Sequence, residues 1–192
     1  IPDSITDFGD YVFFGCPRLM MITESDILES PAVQYAKKYG IMFSTEYCFS
    51  LVKTYEYTYE GINYYLVYNR WGTNIYDAVV LPGNYKFTEN VIIPETIRTE
   101  FGNFVVSKIG DRAFEDTNIT GIELPESINI IGDMAFNGCK SLSEVNIPDN
   151  VKIIGSTALA ASGLNGTLIY PKCEVGKAVF ATTSYDTVYV PE

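Results

Sequence analysis

The sequence predicts a β-rich solenoid of short stacked coils, and its internal repeat supports this. Three prolines lie 23 residues apart, each after an apolar residue: Pro125, Pro148 and Pro171. An Ile-Gly pair recurs in the same register, with its glycines at Gly132 and Gly155. Self-similarity at a fixed period of about 20–50 residues is typical of repeat architectures. The matched positions therefore predict coils that stack on one another.

Each coil contains a short strand that can bury alternate side chains. Leu142, Val145 and Ile147 fall at steps of three and then two, so a strand from Glu144 to Ile147 points alternate side chains into a core. The proline after each strand lacks an amide hydrogen and ends the ladder. A glycine then permits a tight turn. The Ala-Phe pair that follows predicts that Phe136 is a central core residue.

Two further copies of the coil are present. Residues 1–22 repeat the pattern at an offset of 123, which aligns Phe13 with Phe136. A copy that is one residue shorter occupies 109–124. Because the chain begins inside a coil, we expect it to be a mature or trimmed piece of a longer protein.

The coil that begins at Leu124 carries a complete consensus, LPESINIIGDMAFNGCKSLSEVNIP. It resembles the BspA-like bacterial surface leucine-rich repeat family, whose coil reads roughly I-P-x-x-V-x-x-I-G-x-x-A-F-x-x-C-x-x-L-x-x-I-x-I-P. The resemblance is strong across residues 104–171 and again across 1–22. It implies a leucine-rich repeat solenoid with short helical or irregular turns. It also implies a secreted or cell-surface bacterial protein that is not an enzyme and that functions in protein binding or adhesion.

Departures from the repeat predict four regions. They are the last coil and helical cap of a first array (1–43), a Tyr-rich β segment that caps a second array (44–103), the coils of that array (104–171) and its C-terminal cap (172–192). The helix of the first cap is predicted over 30–40, where Ser is the N-cap, Pro is at N1 and Gly is at the stop.

The two caps of the second array have predicted elements of their own. In the C-terminal cap we expect a helix over 174–181 and a strand over 187–190. In the Tyr-rich segment, alternating Tyr55, Tyr57 and Tyr59 lead into a turn at Glu60-Gly61, which predicts a β-hairpin. Further strands are predicted at 75–81 and 90–93, and a reversal at 101–104.

Composition excludes several functional classes. The chain has 13 Lys and Arg against 24 Asp and Glu, a formal net charge of −11, and no histidine. Such an acidic domain does not attract nucleic acid or anionic lipid. Without histidine, Ser-His-Asp and Cys-His nucleophile systems and His-ligated zinc are excluded. No apolar run approaches the roughly 20 residues of a membrane helix, so membrane insertion of this fragment is not expected.

No metal, cofactor or catalytic residue is predicted. The four cysteines lack the C-x-x-C spacing of a zinc or redox site; they are Cys16, Cys48, Cys139 and Cys173. We interpret them as buried free thiols, with disulfide pairing as the alternative. The acidic residues around the coils lack the spacing of a calcium loop, and we interpret them as solvated coil edges.

A cluster of aromatic residues is the candidate partner-binding site. Its members are Tyr57, Tyr59, Tyr64, Tyr68, Trp71 and Tyr76. Tyr and Trp combine a large contact area with a polar tip, which suits a binding surface. Alternatively, one strand face packs on the first coil and the rest reflects β propensity. Because neighbours in a strand point to opposite faces, Tyr64 and Tyr65 cannot both be core residues.

Three functions follow from these features. The leading hypothesis is an extracellular or cell-surface protein that binds a protein partner, such as a host protein or another surface protein. The alternative is a carbohydrate-binding or hydrolytic accessory domain that binds a glycan through the Tyr/Trp cluster. The third is a structural spacer without a ligand. Exposed aromatics beside two convergent carboxylates would favour the carbohydrate hypothesis.

Overall fold

The computed structural model describes residues 20–23, 42–45, 52–69 and 75–191. Within the first two ranges, strands β1 (Met20–Thr23) and β2 (Met42–Thr45) pair in parallel. The helix predicted over 30–40 lies outside the described residues, as do Cys16, Cys48 and Trp71.

The Tyr-rich segment forms the predicted hairpin. Strand β3 (Val52–Tyr59) pairs antiparallel with β4 (Ile62–Asn69), and β5 (Ile75–Val80) pairs antiparallel with the other side of β4. Glu60 and Gly61 join β3 to β4 with φ of 49° and 78°. Two central residues with positive φ suit the right-handed twist of the flanking strands.

The rest of the chain consists of short strands joined by turns. They are β6 (Asn90–Ile92), β7 (Thr96–Thr99), β8 (Gly102–Ile109), β9 (Gly121–Glu123), β10 (Ile130–Ile131), β11 (Glu144–Val145), β12 (Ile153–Ile154), β13 (Asn165–Ile169), β14 (Glu174–Val175) and β15 (Ser184–Tyr189). The predicted reversal near 101–104 is the turn between β7 and β8, in which Thr99 pairs with Gly102.

Strands β3 to β15 form three sheets. The largest has the order β14-β12-β10-β8-β5-β4-β3, with β7 paired on β8. Its strands are parallel from β14 to β5 and antiparallel from β5 to β3. The other two are parallel sheets of order β11-β9-β6 and β13-β15.

Each coil places one strand in the largest sheet, makes a tight turn, and returns through a strand of a smaller sheet. In the largest sheet Ile109, Ile131, Ile154 and Val175 lie in register. The turns are also bonded from coil to coil, since the Phe136 amide donates to the Ala158 carbonyl oxygen at 2.7 Å. The hydrophobic core lies between the largest sheet, the turns and the smaller sheets. The solenoid predicted from the repeat is confirmed.

Close approach of the coils explains the glycine that directly follows each of the coil strands β8, β10, β12 and β14. A Cβ atom on Gly132 would lie 2.6 Å from the Asp111 nitrogen, and one on Gly155 would lie 2.5 Å from the Asp133 nitrogen. Neither glycine has a positive φ. The backbones of neighbouring coils therefore occupy the space that a side chain would need.

Left-handed residues recur at two places in every turn, two and six residues after these glycines. Their φ values lie between 53° and 73°, and they are Arg112, Asp116, Met134, Gly138, Thr157, Ala161, Ala178 and Thr182. Only Gly138 takes this conformation without a steric cost. The hydrogen bonds between stacked turns must hold the other seven in place.

The helix predicted over 174–181 is wrong, because that segment forms another coil. It contains β14, and Gly176 then packs against the Ser156 nitrogen, where a Cβ atom would lie 2.6 Å away. The Lys177 and Val179 carbonyls accept bonds from the preceding turn at 2.9 and 3.1 Å. The described residues contain no helix, so the predicted short helical turns are tight turns instead. The strand predicted over 187–190 is present as β15.

Candidate functional site

Tyr64, a predicted contact residue, lies in the core. Its side chain is fully buried, on the same face of the sheet as Tyr57 in the neighbouring strand. Its hydroxyl oxygen has no hydrogen-bond partner among the described residues. Burial raises the pKa of the Tyr64 phenol far above its ordinary value, with Tyr85, Glu60 and Tyr59 adding to the effect. The ring therefore offers no surface to a partner.

The other predicted contact residues divide by position. Tyr57, Tyr59 and Tyr76 are partly buried and pack against the core, and Tyr76 meets Phe104 edge-on at 5.3 Å. Tyr68 lies in β4, opposite Lys53. Trp71 is outside the described residues. Tyr65 is half-buried on the other face from Tyr64, as strand alternation requires.

Tyr85, which the sequence argument did not single out, joins the Tyr-rich segment to the first coil. Its hydroxyl donates to the Leu81 carbonyl oxygen at 2.6 Å and accepts from the Asn63 amide at 3.0 Å. Its ring lies 5.6 Å from that of Phe87 and 5.2 Å from that of Phe114. The only signal for this contact was the alternation of Tyr85 with Phe87, which is typical of an extended segment.

A partly exposed aromatic pair joins the hairpin to the turn between β7 and β8. The rings of Tyr55 and Phe101 stack with centroids 4.9 Å apart and planes inclined by 1°. Phe101 is 49% exposed. It occupies the turn between β7 and β8, where a large apolar side chain has few core neighbours. We call these two residues the Tyr55–Phe101 stack.

The C-terminal coils expose a second set of apolar residues that the sequence argument missed. Ile169, Val188, Tyr189 and Val190 are all more than half exposed. The available signal was the consecutive run of Val188, Tyr189 and Val190, because a half-buried strand alternates apolar with polar residues.

The two described cysteines are free and poorly suited to nucleophilic chemistry. Cys139 is buried and donates to the Phe114 carbonyl oxygen at 3.0 Å, and burial raises its pKa. Cys173 is half-buried, and burial together with the Glu174 charge raises its pKa to about 11. Since the thiolate is the reactive form, both are predominantly unreactive thiols at neutral pH. In the described ranges, no group of three His, Cys, Asp or Glu side chains could hold a metal ion.

A ladder of side chains links successive coils beside the glycines. The Asp133 amide donates to Oδ1 of Asp111 at 3.0 Å, and the Ser156 amide donates to Oδ1 of Asp133. The Lys177 amide donates to the Ser156 hydroxyl at 3.3 Å. Oδ2 of Asp111 is buried and has no partner in the part of the chain that is described. Burial raises the pKa of Asp111, against smaller lowering effects from Lys108, the Asp133 amide and Arg112.

Replacing Asp111 by asparagine should stabilise the protein at neutral pH. A carboxyl group with a raised folded-state pKa binds its proton more tightly in the folded protein. Its stabilising effect is therefore complete below the ordinary pKa of 3.8 and is lost as pH rises through the folded value. Asparagine keeps the Oδ1 acceptor and carries no charge. We expect Asp111→Asn to raise Tm at pH 7 and to match the wild type at about pH 3.

Thermal unfolding followed by circular dichroism at both pH values measures this effect. Asp149→Asn is the matched control, because Asp149 is exposed and removing its charge tests only the change in net charge. A Tm at pH 7 that is unchanged or lower in Asp111→Asn would contradict the expectation.

The stacked coils, with one parallel strand each in the largest sheet, place the protein in the leucine-rich repeat class of solenoids. Residues 107–192 match the family described as BspA type leucine rich repeat region, in six copies. This part of the chain is a BspA-type leucine-rich repeat region. The resemblance seen in the coil consensus is confirmed.

Solved structures of bacterial leucine-rich repeat proteins share the fold. One from Bacteroides capillosus is 29% identical, with a TM-score of 0.56, and the match covers 71% of this chain and 99% of that one. A leucine rich cell surface protein from Faecalibacterium prausnitzii is 24% identical, with a TM-score of 0.53 and coverage of 72% and 43%. A leucine-rich repeat protein from Bacteroides ovatus is 23% identical, with a TM-score of 0.51 and coverage of 71% and 42%. The chain thus spans less than half of the last two.

No curated protein matches the sequence. Within the described residues, no helix has the length and apolar character needed to cross a membrane.

Proposed function

We propose that the chain is a non-enzymatic, extracellular or cell-surface protein that binds another protein and so mediates adhesion. The stack of coils carries this proposal, since backbone hydrogen bonds join each coil to the next at both the largest sheet and the turns. A surface built in this way is ordered before binding, so little conformational entropy is lost on contact. Proteins with leucine-rich repeats are generally non-enzymatic, which supports the same conclusion.

The size of the stack predicts weak binding by a single array. Strands β8, β10, β12 and β14 together extend about 14 Å along the stack at a spacing of about 4.8 Å. Such a short surface accommodates few strong contacts. Tandem arrays on one chain, as the repeat in residues 1–22 predicts, would strengthen attachment through avidity.

We place the contact at the Tyr-rich end of the stack. The Tyr55–Phe101 stack presents exposed aromatic surface there, and Tyr57, Tyr59 and Tyr76 are partly accessible on neighbouring strands. Buried aromatic anchors contribute much of the energy of protein interfaces. Tyr68 and Trp71 remain predicted members of this surface.

Parallel arrays of purified surface proteins and of glycans would test the proposal. We expect the wild type to bind one or more proteins, and Phe101→Ala to weaken that binding about tenfold or more. Val105→Ala is the matched control. Val105 lies in β8, the strand that follows Phe101, and it is 42% exposed, but it is not part of the Tyr55–Phe101 stack. Glycan binding that Trp71→Ala abolishes would favour the carbohydrate-binding alternative. Binding to neither array would favour a structural spacer.

A further inference from the structure

The side of the solenoid formed by the two smaller sheets is interrupted between the coil that contains β11 and the next coil, which contains β13. Ile122 and Val145 occupy the same position in consecutive coils and pair through β9 and β11. Leu168 holds that position in the next coil, but its strand β13 pairs with β15 and not with β11. Among the described residues no backbone hydrogen bond joins β11 to β13. The facing edges of these two strands are therefore open.

One side-chain bridge that joins the preceding pair of coils is missing at this point. Oδ1 of Asn146 accepts from the Leu124 amide at 2.9 Å, and Nδ2 donates to the Leu124 carbonyl oxygen at 3.0 Å. This side chain thus bridges its coil to the preceding one. The equivalent residue one coil later is Ile169, which has no polar side-chain atom and is 66% exposed. Ile169 cannot make the corresponding bridge to Ile147.

The separation opens a groove of about 440 Å³ between 145–149 and 167–172. This volume lies within the range of about 300–1,000 Å³ typical of ligand sites. Its apolar lining includes Val145, Ile147 and Leu168, and Cys173 and Tyr185 also line it. The groove is thus an apolar channel between two open strand edges.

We propose that this groove binds an extended peptide segment of a partner protein, which inserts as a strand between β11 and β13. An inserted strand would bond to the free amide and carbonyl groups of both edges, as in recognition by strand addition. Apolar side chains at alternate positions would contact the lining, because strand residues alternate between faces. The exposed carboxylate of Asp149 at the rim and the net charge of −11 favour a basic residue in the peptide. This site goes beyond the proposed function, since it uses different residues from the Tyr55–Phe101 stack.

Closing the groove with a single substitution tests the proposal. Ile169→Asn should restore the bridge, because asparagine can bond to Ile147 as Asn146 does to Leu124. Ile92→Asn is the matched control: Ile92 occupies the same position in β6, is 62% exposed, and lies at the other end of the stack. Both variants should fold, which circular dichroism would verify.

The probe is a phage-displayed library of random peptides of about seven residues, long enough to extend along the groove at about 3.3 Å per residue. We expect the wild type and Ile92→Asn to enrich peptides with alternating apolar residues and a basic residue. The affinity of Ile169→Asn for those peptides should be lower by a factor of about ten or more. Absence of such enrichment by the wild type, or equal binding by Ile169→Asn, would overturn the proposal. If Phe101→Ala loses peptide binding and Ile169→Asn keeps it, the peptide binds at the Tyr55–Phe101 stack. That result would also overturn the groove proposal, but it would agree with the proposed function.

Alkylation of Cys173 gives a second readout that needs no substitution. This free thiol lines the groove, whereas the free thiol of Cys139 is fully buried in the core. At alkaline pH, where part of Cys173 is thiolate, a selected peptide should slow the reaction of Cys173 with iodoacetamide, measured by mass spectrometry, and leave Cys139 unchanged. An unchanged rate at Cys173 with saturating peptide would place the binding elsewhere and overturn the proposal.

Discussion

Phe136→Ala should lower the free energy of unfolding by about 3–5 kcal/mol, the usual cost of truncating a buried phenylalanine. Phe136 is fully buried, and its ring stacks on that of Phe114 with centroids 5.6 Å apart and planes inclined by 7°. Truncation leaves a cavity and removes the contact between two successive coils. Denaturant unfolding followed by circular dichroism would measure the loss.

A matched control separates this core effect from the loss of any aromatic ring. Phe101 is 49% exposed, so Phe101→Ala should cost no more than about 1 kcal/mol. If Phe136→Ala unfolds at the same denaturant concentration as the wild type, the position of Phe136 at the centre of the core is refuted.

Gly155→Ala should destabilise the protein by about 3 kcal/mol, the upper part of the usual range for overpacking. The added Cβ atom would meet the Asp133 nitrogen at 2.5 Å and the Gly132 carbonyl carbon at 2.6 Å. Both are backbone atoms held by the ladder between coils. Neither can move without breaking the stack, so the clash cannot be relieved locally.

Gly166→Ala is the control for this glycine, measured in the same unfolding experiment. Nothing lies within 4 Å of a Cβ atom at Gly166, but its φ is +75°. The conformational cost alone is about 1–2 kcal/mol. A loss in Gly155→Ala no larger than that in Gly166→Ala would show that close approach of the coils is not what requires glycine.

The repeat made the stack of coils predictable because its apolar and glycine positions are set by contacts that recur in every coil. The constant spacing of Ile131-Gly132 and Ile154-Gly155 corresponds to neighbouring strands in register. The alternation of tyrosines in β3 likewise predicted the hairpin, since a two-residue periodicity is local to the strand. Both features depend on short-range patterns that a single sequence contains.

The last coil was not predicted, because the spacing of its repeat positions is shorter than in the other coils. Gly176 lies 21 residues after Gly155, and Pro191 lies 20 residues after Pro171, where the preceding coil has a spacing of 23 for both. Local residue types over 174–181 are compatible with a helix. Stacking on the preceding turn overrides that propensity, because the backbone of this segment forms its hydrogen bonds with the neighbouring coil.

The candidate site was only partly predictable for a different reason. Alternation placed Tyr64 and Tyr65 on opposite faces but could not say which face the first coil covers. Phe101 meets Tyr55 across 46 residues of sequence, and no local pattern reports that contact. The groove beside Ile169 was not predicted, because it lies where the asparagine bridge of the preceding coil is absent, a difference that becomes visible only when one coil is compared with the next in three dimensions.

The recurring left-handed residues imply that a coil cannot be folded alone. At Met134, Thr157 and Ala178 the side chain opposes the conformation that the turn adopts, and the bonds from adjacent turns supply the compensation. A solitary coil would have the cost without the compensation. The coils of the array should therefore fold cooperatively, and a partner that separates one coil from the stack should also destabilise the neighbouring coils.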